Sequence, residues 1–582
     1  MEQRNLLIAI VVSVGILIGF QFLFSRLHPP PAPHVATTAT APATGSAPAT
    51  TASPTGSAPA TSAAAPSTAA PGAAAHRALQ TRAAAIGGQP RVKIDTPRLH
   101  GSIALVGARL DDLTLATYHE TVNPKSPDVV LLSPPGTANP YLAEFGWVAE
   151  KPGTVKLPGA RTLWKASGGP LTPSHPVTLR WDNSQGLVFT RTISIDQNYM
   201  FTVREAVRNT GNTTVTLLPY GLISRTGTPQ VSSSYLSFEG MIGNLDGSLH
   251  DIKYSSLKPG KPTTYETTGG WLGFTDTYWL TSLVPPQHEP IKARFTLIDE
   301  NGATRYQTDY IGPATTLAPD GSATASTRLF AGAKELNLLT AYANSGIPLF
   351  DYAIDFGWFW FISKPMFQVL EILYKVFDNF GVSILVLTLL VRVLFFPLAN
   401  KSYRAMSKMK LLQPEMKKLR ERFPDDKARQ QQEMMAVYKR VGANPLAGCL
   451  PIVVQIPVFY ALYQILYVAI DLRHAPFFGW IRDLSAPDPT SFANLFGLIP
   501  FTPPSFLMIG AWPIIMGVTM FLQQKLNPQP VDAMQARMFM LLPIVFTYML
   551  SHFPAGLVIY WAWSNTLSIA QQWVIMHRAG AA

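Results

Sequence analysis

Three patterns of hydrophobic and polar positions follow one another along the 582 residues of this chain. A single apolar stretch, Leu6–Phe24, comes first, and a segment without Lys, Arg, Asp or Glu follows it from Leu27 to His76. Short runs that alternate between apolar and polar residues then fill residues 91–340. The last third contains apolar runs of about the length that crosses a bilayer as a helix. The pattern predicts a membrane protein that carries one sizeable domain outside the bilayer.

The N-terminal stretch predicts a membrane anchor over residues 1–26. Phe20, Phe22 and Phe24 occupy the place where a cleavable signal peptide would need small residues, so we expect the anchor to be retained. The segment that follows consists mainly of Ala, Pro, Thr, Ser and Gly. Such a composition cannot bury a core, and it predicts a disordered linker over residues 27–90.

Alternation with a period of two predicts an all-β domain over residues 91–340, more typical of a sandwich than of a barrel. Glu205 and Asp276 are isolated acids in this region, and we expect them to be solvated or to lie in turns. Turn signals such as Asp182-Asn183 and Glu300-Asn301-Gly302 separate the runs. The clearest alternating runs are Thr178–Trp181, Leu187–Ile195, Met200–Val207 and Thr213–Pro219.

The C-terminal third predicts an interfacial helix followed by five membrane spans. Residues 355–377 mix aromatic side chains with Lys364, Glu371 and Lys375, a pattern typical of an amphipathic helix that lies along the membrane surface. With the N-terminal anchor, the spans number six. The five predicted spans cover 380–400, 447–468, 506–524, 538–552 and 555–575, and the segments between and after them are 401–444, 469–505, 525–537 and 576–582.

Charge asymmetry predicts the orientation of these spans. Residues 401–443 contain 12 Lys/Arg and 5 Asp/Glu, whereas residues 471–505 contain only Arg473 and Arg482 among the basic residues. The positive-inside rule therefore places 401–444 in the cytoplasm and 469–505 outside. Six spans then place both termini in the cytoplasm and the β domain outside.

Arg392 is the most informative single residue, because it lies within the apolar run 381–398. On a straight helix it would lie roughly 13 Å from Lys401 along the axis. A charge at that depth is costly and normally faces a polar or watery cavity. No acidic residue occurs in any apolar run after Asp378, so an ion-pairing partner is hard to find. We therefore favour a functional arginine over a snorkelled or ion-paired structural one.

Other polar residues of the predicted spans could line the same cavity. Each alone is more often a helix–helix hydrogen bond than a functional group. Thr388 lies one turn before Arg392 and shares its face. The remaining members of this set are Gln455, Gln523, Gln524, Tyr560, Trp561, Ser564, Asn565 and Gln571.

The basic segment 401–444 predicts two antiparallel helices separated at Pro424-Asp425-Asp426. Of the 17 methionines, 14 follow residue 365, and flexible Met side chains suit surfaces that accept varied apolar segments. A docking surface for partners and a solvated, lipid-attracted loop both remain open. The methionines concerned are Met406, Met409, Met416, Met434 and Met435.

Composition excludes several classes of function. One cysteine, Cys449, rules out an internal disulfide. The sequence contains no metal-ligand cluster, phosphate-binding loop or nucleophile elbow, so we expect no cofactor, no metal, no enzymatic activity and no nucleic-acid partner.

The C-terminal third contains the segments VRVLFFPLANKSYRAMSKMKLLQPEMKKLRERFPDDKARQQQEMMAVYKRVGANPLAGCLPIVVQIPVFYALY, FGWIRDLSAPDP, IIMGVTMFLQQKLNP and FPAGLVIYWAWSNTLSIAQQ. These segments resemble the YidC family of membrane protein insertases, which implies a place in the bacterial inner membrane. The resemblance covers about 355–575, and the anchor, linker and β domain are similar to the Gram-negative form.

The resemblance implies a five-helix core around a hydrophilic groove that is open to the cytoplasm and the lipid, together with a β-supersandwich periplasmic domain. It implies insertion and folding of nascent membrane proteins, alone or with the Sec translocon. The family's groove arginine, threonine and glutamine fall on Arg392, Thr388 and Gln455, and its paired aromatic residues fall on Tyr560 and Trp561. Contacts with the ribosome or the signal-recognition machinery would involve the basic hairpin.

Three features depart from the family pattern. Many Gram-negative members have tyrosine where Trp561 stands, the external loop 485–512 is longer and rich in Pro and Phe, and the tail has only His577 and Arg578 as basic residues. A ribosome-binding basic tail is therefore not supported.

Two alternatives come from other classes of protein. A secondary transporter or channel would also place a charge at mid-membrane, but it predicts internal repeats and an acidic coupling residue. The other alternative is a glycan- or partner-binding β domain that the membrane helices merely tether.

Overall fold

The computed structural model describes residues 79–578 apart from 231–236, 301–302, 425, 442–449, 502 and 528–532. The predicted anchor and most of the predicted linker lie outside the described residues. The end of that linker, 79–90, is ordered, in contrast to the prediction. Helix α1 (Arg82–Gly87) is capped by the Thr81 hydroxyl, and Arg82 pairs with Asp112 of the β domain.

Residues 91–333 form two antiparallel sheets, which confirms the predicted β-sandwich. The strands are β1 Arg91–Asp95, β2 Leu99–Ala104, β3 Arg109–His119, β4 Asp128–Leu132, β5 Tyr141–Ala149, β6 Lys165–Ser167, β7 Val177–Asp182, β8 Leu187–Ile195, β9 Met200–Asn209, β10 Val215–Thr226, β11 Gly240–Leu245, β12 Ser248–Ile252, β13 Thr263–Thr268, β14 Trp271–Thr275, β15 Trp279–Val284, β16 Pro290–Glu300, β17 Ala303–Ile311, β18 Thr315–Leu317 and β19 Ser322–Ala333. One sheet has the order β1-β2-β3-β5-β10-β17-β16-β13, with β4 beside β3 and β18 beside β10. The other has the order β12-β11-β14-β15-β19-β9-β8-β7-β6.

Alternation sets which side chains enter the sandwich core. Strand β8 has the predicted bounds, and every second side chain along it is buried. Strand β10 runs past Pro219, where the prediction ended it. Pro219 cannot donate a hydrogen bond, but its carbonyl accepts one from the Gly312 N–H at 2.8 Å, so the ladder continues.

The prediction that Glu205 is a solvated or turn residue is wrong, because it lies within strand β9 and is buried. Glu205 pairs across the strands with Arg191, at 2.7 Å between Oε1 and Nη2, and both side chains are buried. Burial raises the pKa of Glu205, and the Arg191 guanidinium opposes that rise. Asp276 does lie in a turn, the one between β14 and β15, as predicted, and its N–H donates to the Trp279 carbonyl at 2.9 Å. Its half-buried carboxylate also pairs with Arg225 at 2.8 Å.

Nine helices follow the sandwich in the described part of the chain. Helix α3 corresponds to the predicted interfacial helix 355–377, although it begins at Trp360. The basic segment contributes two helices, α5 and α6, as predicted. The helices are α2 Leu336–Asn344, α3 Trp360–Phe377, α4 Phe380–Leu394, α5 Phe396–Arg422, α6 Lys427–Val441, α7 Leu450–Val468, α8 Ala511–Leu526, α9 Ala533–Leu550 and α10 Ala555–Arg578.

No single described helix is both long enough and apolar enough to cross a membrane. Helices α4 and α5 together have sufficient length and hydropathy, but the chain bends by 69° between them. Shorter apolar helices cover Gln455–Val468 and Ala536–Leu550.

Candidate functional site

Helix α10 is central to the C-terminal bundle, because it packs against α4, α5, α7 and α8. Three hydroxyl-bearing residues, Tyr560, Ser564 and Ser568, lie four residues apart along it and are all buried. This spacing places them on one face of the helix. A buried polar stripe therefore runs along α10.

Arg392 reaches this stripe from the last turn of α4. Its Nη2 donates to the Ser564 carbonyl at 2.7 Å, to the Ser564 hydroxyl at 2.8 Å and to the Ser568 hydroxyl. The arginine itself is half-buried. All three acceptors are neutral, and helices α4, α7, α8, α9 and α10 contain no Asp or Glu. Among the described residues, the positive charge of Arg392 is thus hydrogen-bonded without an acidic partner.

The predicted span 380–400 ends earlier than expected, at Leu394. Pro397 has no N–H to donate to the Val393 carbonyl, so the α4 hydrogen-bond pattern cannot continue through it. The chain turns by 69° and resumes as α5. The depth of roughly 13 Å that a straight helix gives for Arg392 therefore does not apply. Arg392 lies two residues before a bend.

Three predicted residues lie near Arg392 along α4, α7 and α10. The Thr388 hydroxyl is buried and donates to the Ile384 carbonyl of its own helix at 2.6 Å. The Gln455 side-chain amide donates to the Tyr560 hydroxyl and so links α7 to α10. Gln455 is half-buried, whereas Tyr560 is buried. The Tyr560 hydroxyl belongs to the same face of α10 as the serines that bind Arg392.

Two more of the predicted residues face a different neighbour. Trp561 packs edge-on against Phe459, with ring centroids 4.7 Å apart. The Asn565 side-chain amide donates to the Thr519 hydroxyl of α8 at 3.3 Å, and Asn565 is buried. These predicted residues therefore form two groups. Thr388, Gln455 and Tyr560 lie near Arg392, whereas Trp561 and Asn565 belong to the next face of α10.

Sequence reasoning missed part of the site. Ser564 is one of several polar residues in the predicted sixth span, whereas the predicted set of cavity residues does not include Ser568 or Thr519. The available signal was the four-residue spacing of Tyr560, Ser564 and Ser568, which places hydroxyls along one helix face.

The predicted methionines of the basic hairpin, which α5 and α6 form, mostly point inward. Met416 is buried with Leu412 and Val437 between α5 and α6, and Met409 and Met434 pack against this cluster. Met406 is buried as well, and only Met435 of the five is exposed. The exposed faces of the hairpin carry basic side chains, for example Arg404 and Lys408.

Acidic groups meet where α2, α3 and the segment after α7 join the sandwich. Glu335 accepts hydrogen bonds from Arg98 at 2.8 and 2.9 Å, and Asn337 donates to Glu371 of α3 at 2.7 Å. Burial, together with a neighbouring carboxylate, raises the pKa of Glu371 to about 7 and that of Asp471 to about 6.

Comparison with known proteins gives consistent results along the whole chain. Residues 91–369 match the family described as the YidC periplasmic domain, and residues 372–581 match the family described as the 60Kd inner membrane protein. A membrane protein insertase YidC of Methylorubrum extorquens is 51% identical over 100% of this chain and 96% of its own length. Another YidC, of Methylobacterium nodulans, is 54% identical over 88% of this chain and 86% of its own.

A solved structure of an active YidC insertase, with its first transmembrane domain resolved, covers 83% of this chain and 92% of its own. It shares 16% sequence identity, with a TM-score of 0.37. A superposition this loose says nothing about individual residues.

Proposed function

The chain belongs to the YidC family of membrane protein insertases, and from that premise we propose that polar substrate segments enter along the face of α10 that Arg392 contacts. The chain is accordingly an inner-membrane insertase with a periplasmic domain, and not an enzyme. The observation that carries the proposal is that Arg392, within the part of the chain that the structure describes, binds neutral oxygens and no carboxylate.

An un-neutralised charge in this position lowers the barrier that an acidic segment meets. Moving a charged side chain into a bilayer costs several kcal/mol. Ser564 and Ser568 hold the guanidinium in place but leave its charge free to attract a carboxylate. Burial of the arriving apolar helix then drives its release into lipid. Arg392 thus attracts the polar segment of the substrate, and the apolar segment then partitions into lipid.

The same proposal gives the basic hairpin a role at the cytoplasmic entrance. Its methionines fill the space between α5 and α6, so we expect its exposed basic side chains to make the first contacts. The partners are nascent membrane proteins, with the ribosome, the signal-recognition machinery and the Sec translocon as further candidates.

Reconstitution tests the proposal. Purified full-length protein in liposomes should insert a small single-span substrate that carries a short translocated tail, and empty liposomes should not. Deleting 404–440 should abolish insertion while the protein remains folded and membrane-bound. Insertion at the rate of empty liposomes by the intact protein would refute an autonomous insertase.

A further inference from the structure

The segment between the predicted third and fourth spans contains a compact loop, residues 492–508, which we name the apolar loop. Its two ends are held together. The Ser491 hydroxyl donates to the Leu507 carbonyl at 2.9 Å, and the Phe492 N–H donates to the Ile509 carbonyl at 3.0 Å. Just before it, the buried Asp488 carboxylate accepts a hydrogen bond from the Trp512 N–H at 2.9 Å and so fixes the start of α8.

The apolar loop exposes hydrophobic side chains to an unusual degree. Leu498 is 82% exposed, and no charged residue occurs between Asp488 and Lys525. Leu495 and Phe496 have left-handed backbone angles, with φ of 50° and 58°, and their side chains point outward. A large exposed apolar patch marks a contact surface. Its exposed members are Phe492, Leu495, Phe496, Leu498, Ile499, Phe501, Phe506 and Met508.

Backbone groups in the described part of the loop are largely satisfied from within. The Phe496, Leu498 and Ile499 N–H groups donate to carbonyls of Ser491, Leu495 and Asn494. The Asn494 side chain accepts from the Gly497 N–H at 3.0 Å and donates to the Phe501 carbonyl at 3.3 Å.

Three further residues of the loop, all prolines, have no N–H to satisfy. They are Pro500, Pro503 and Pro504. A segment with many N–H groups bonded internally or absent can enter a lipid environment at lower cost than an ordinary loop.

The adjacent helix supplies a reason for such a loop. Helix α8 has 16 residues, a length of about 24 Å, whereas the hydrocarbon core of a bilayer is about 30 Å thick. Its outward side chains Ile515, Val518 and Leu522 are exposed, as those of the loop are. The uncharged surface therefore continues from α8 into the loop without a polar boundary.

We propose that the apolar loop is embedded in the periplasmic leaflet of the bilayer, where its exposed side chains contact lipid acyl chains and extend the apolar surface of the short helix α8. This inference rests on the membrane placement of α8 under the proposed function. Lipid is favoured over a protein partner because the patch lacks charged residues and continues the outward face of α8. The loop anchors the bundle at the depth where α8 ends.

Depth-dependent quenching tests this. With Cys449 replaced by Ser, a single cysteine in place of Leu498 is labelled with an environment-sensitive fluorophore, and the full chain is reconstituted in phosphatidylethanolamine/phosphatidylglycerol vesicles. The matched control carries the cysteine in place of Leu163, an apolar residue of the sandwich that is 57% exposed. Doxyl groups on the lipid chains report contact with lipid, and aqueous iodide reports contact with water.

We expect the Leu498 probe to be quenched by doxyl lipids and to be several-fold less accessible to iodide than the Leu163 probe. Equal iodide accessibility of the two probes would overturn the proposal. Protection that disappears when protein is diluted in excess lipid would also overturn it, because the occupant would then be a second copy of the chain. Protection that arises only on addition of a substrate or another protein would assign the patch to that protein.

Insertion of a test substrate is measured in the same vesicles. A lipid-embedded loop in vesicles that insert nothing would refute the proposed function and leave the loop assignment standing. The converse result would refute only the loop assignment.

Discussion

The guanidinium of Arg392 bonds to three oxygens of α10, and two of them belong to serine hydroxyls. If these hydroxyls position the charge, their loss should weaken function without removing the charge itself. Ser564 and Ser568 are therefore positioning residues.

Replacing both serines by alanine should slow insertion of substrates with acidic tails more than that of neutral ones. The expected loss is about 1–3 kcal/mol, because hydrogen bonds to a charged group are lost. Thr566→Ala is the matched control, since the Thr566 hydroxyl bonds within α10 to Ala562 and its residue is exposed. Insertion rates in liposomes measure the effect, and equal rates for the double variant and the control would contradict it.

The buried pair Arg191–Glu205 gives a prediction about stability. Glu205→Ala leaves the Arg191 charge buried without its carboxylate, and we expect about 3–5 kcal/mol lower stability. Glu266→Ala is the control, because it breaks an exposed pair with Lys292 and should cost under about 1 kcal/mol. Denaturant unfolding of the full chain in detergent measures the stability of both variants. Similar unfolding midpoints for the two would show that the buried pair has little net effect.

Single residues were predictable where they broke a strong local pattern. Arg392 stood out because a charge in an apolar run is rare. Ser564 and Ser568 did not, because isolated hydroxyls are common in such helices and only their joint distance to Arg392 distinguishes them. Glu205 lies in phase with the inward-facing Val203 and Val207, a signal that its charge concealed.

At the scale of elements, the junction of α2, α3 and the segment after α7 should respond to pH. The pKa of Asp471 is raised to about 6, so the folded protein holds this proton more tightly than the unfolded chain does. The free energy of unfolding should therefore increase as the pH falls from about 6 toward the ordinary value near 4. Above pH 6 the charged carboxylate destabilises the junction.

Asp471→Asn should remove the part of this dependence that comes from Asp471, whereas Glu371, whose pKa is also raised, keeps its own contribution. At pH 8 we expect the variant to be about 1–3 kcal/mol more stable than the parent, with the difference shrinking toward pH 4. Glu150→Gln, at an exposed carboxylate of the sandwich, is the control and should leave the pH profile unchanged. Thermal unfolding from pH 4 to 8 measures both, and parallel profiles for parent and Asp471→Asn would contradict the assignment.

Elements were predictable where local periodicity decides them. Strand β8 was bounded correctly, because neither end depends on distant contacts. The ends of strand β10 and helix α4 were not predicted correctly. The strand continues past Pro219, whose carbonyl accepts a hydrogen bond, whereas the helix ends before Pro397. From the sequence alone, a proline does not indicate whether a strand or helix continues past it or ends there.

At the scale of the whole molecule, the six-span topology stays a prediction. Cysteine labelling tests it at two exposed positions, Lys408 in the basic segment and Arg482 in the segment after α7. With Cys449 replaced, Lys408→Cys should react with an impermeant maleimide only from the cytoplasm and Arg482→Cys only from the periplasm. Labelling of either from the other side would overturn the orientation.

The central claim is that Arg392 attracts acidic substrate segments, and a charge series tests it most directly. One substrate is prepared with zero, one or two acidic residues in its translocated tail and is inserted by the parent, Arg392→Lys, Arg392→Ala and Arg392→Glu proteins. A charge pair about 6 Å apart interacts by roughly 3 kcal/mol at an effective dielectric constant of about 20, enough to change a rate more than tenfold.

Arg392→Lys should retain insertion because the charge is kept, although it loses part of the bonding to Ser564 and Ser568. The defects of Arg392→Ala and still more of Arg392→Glu should grow with each acidic residue in the tail. Equal defects across the series, accompanied by lower thermal stability of both variants, would show instead that Arg392 only joins α4 to α10.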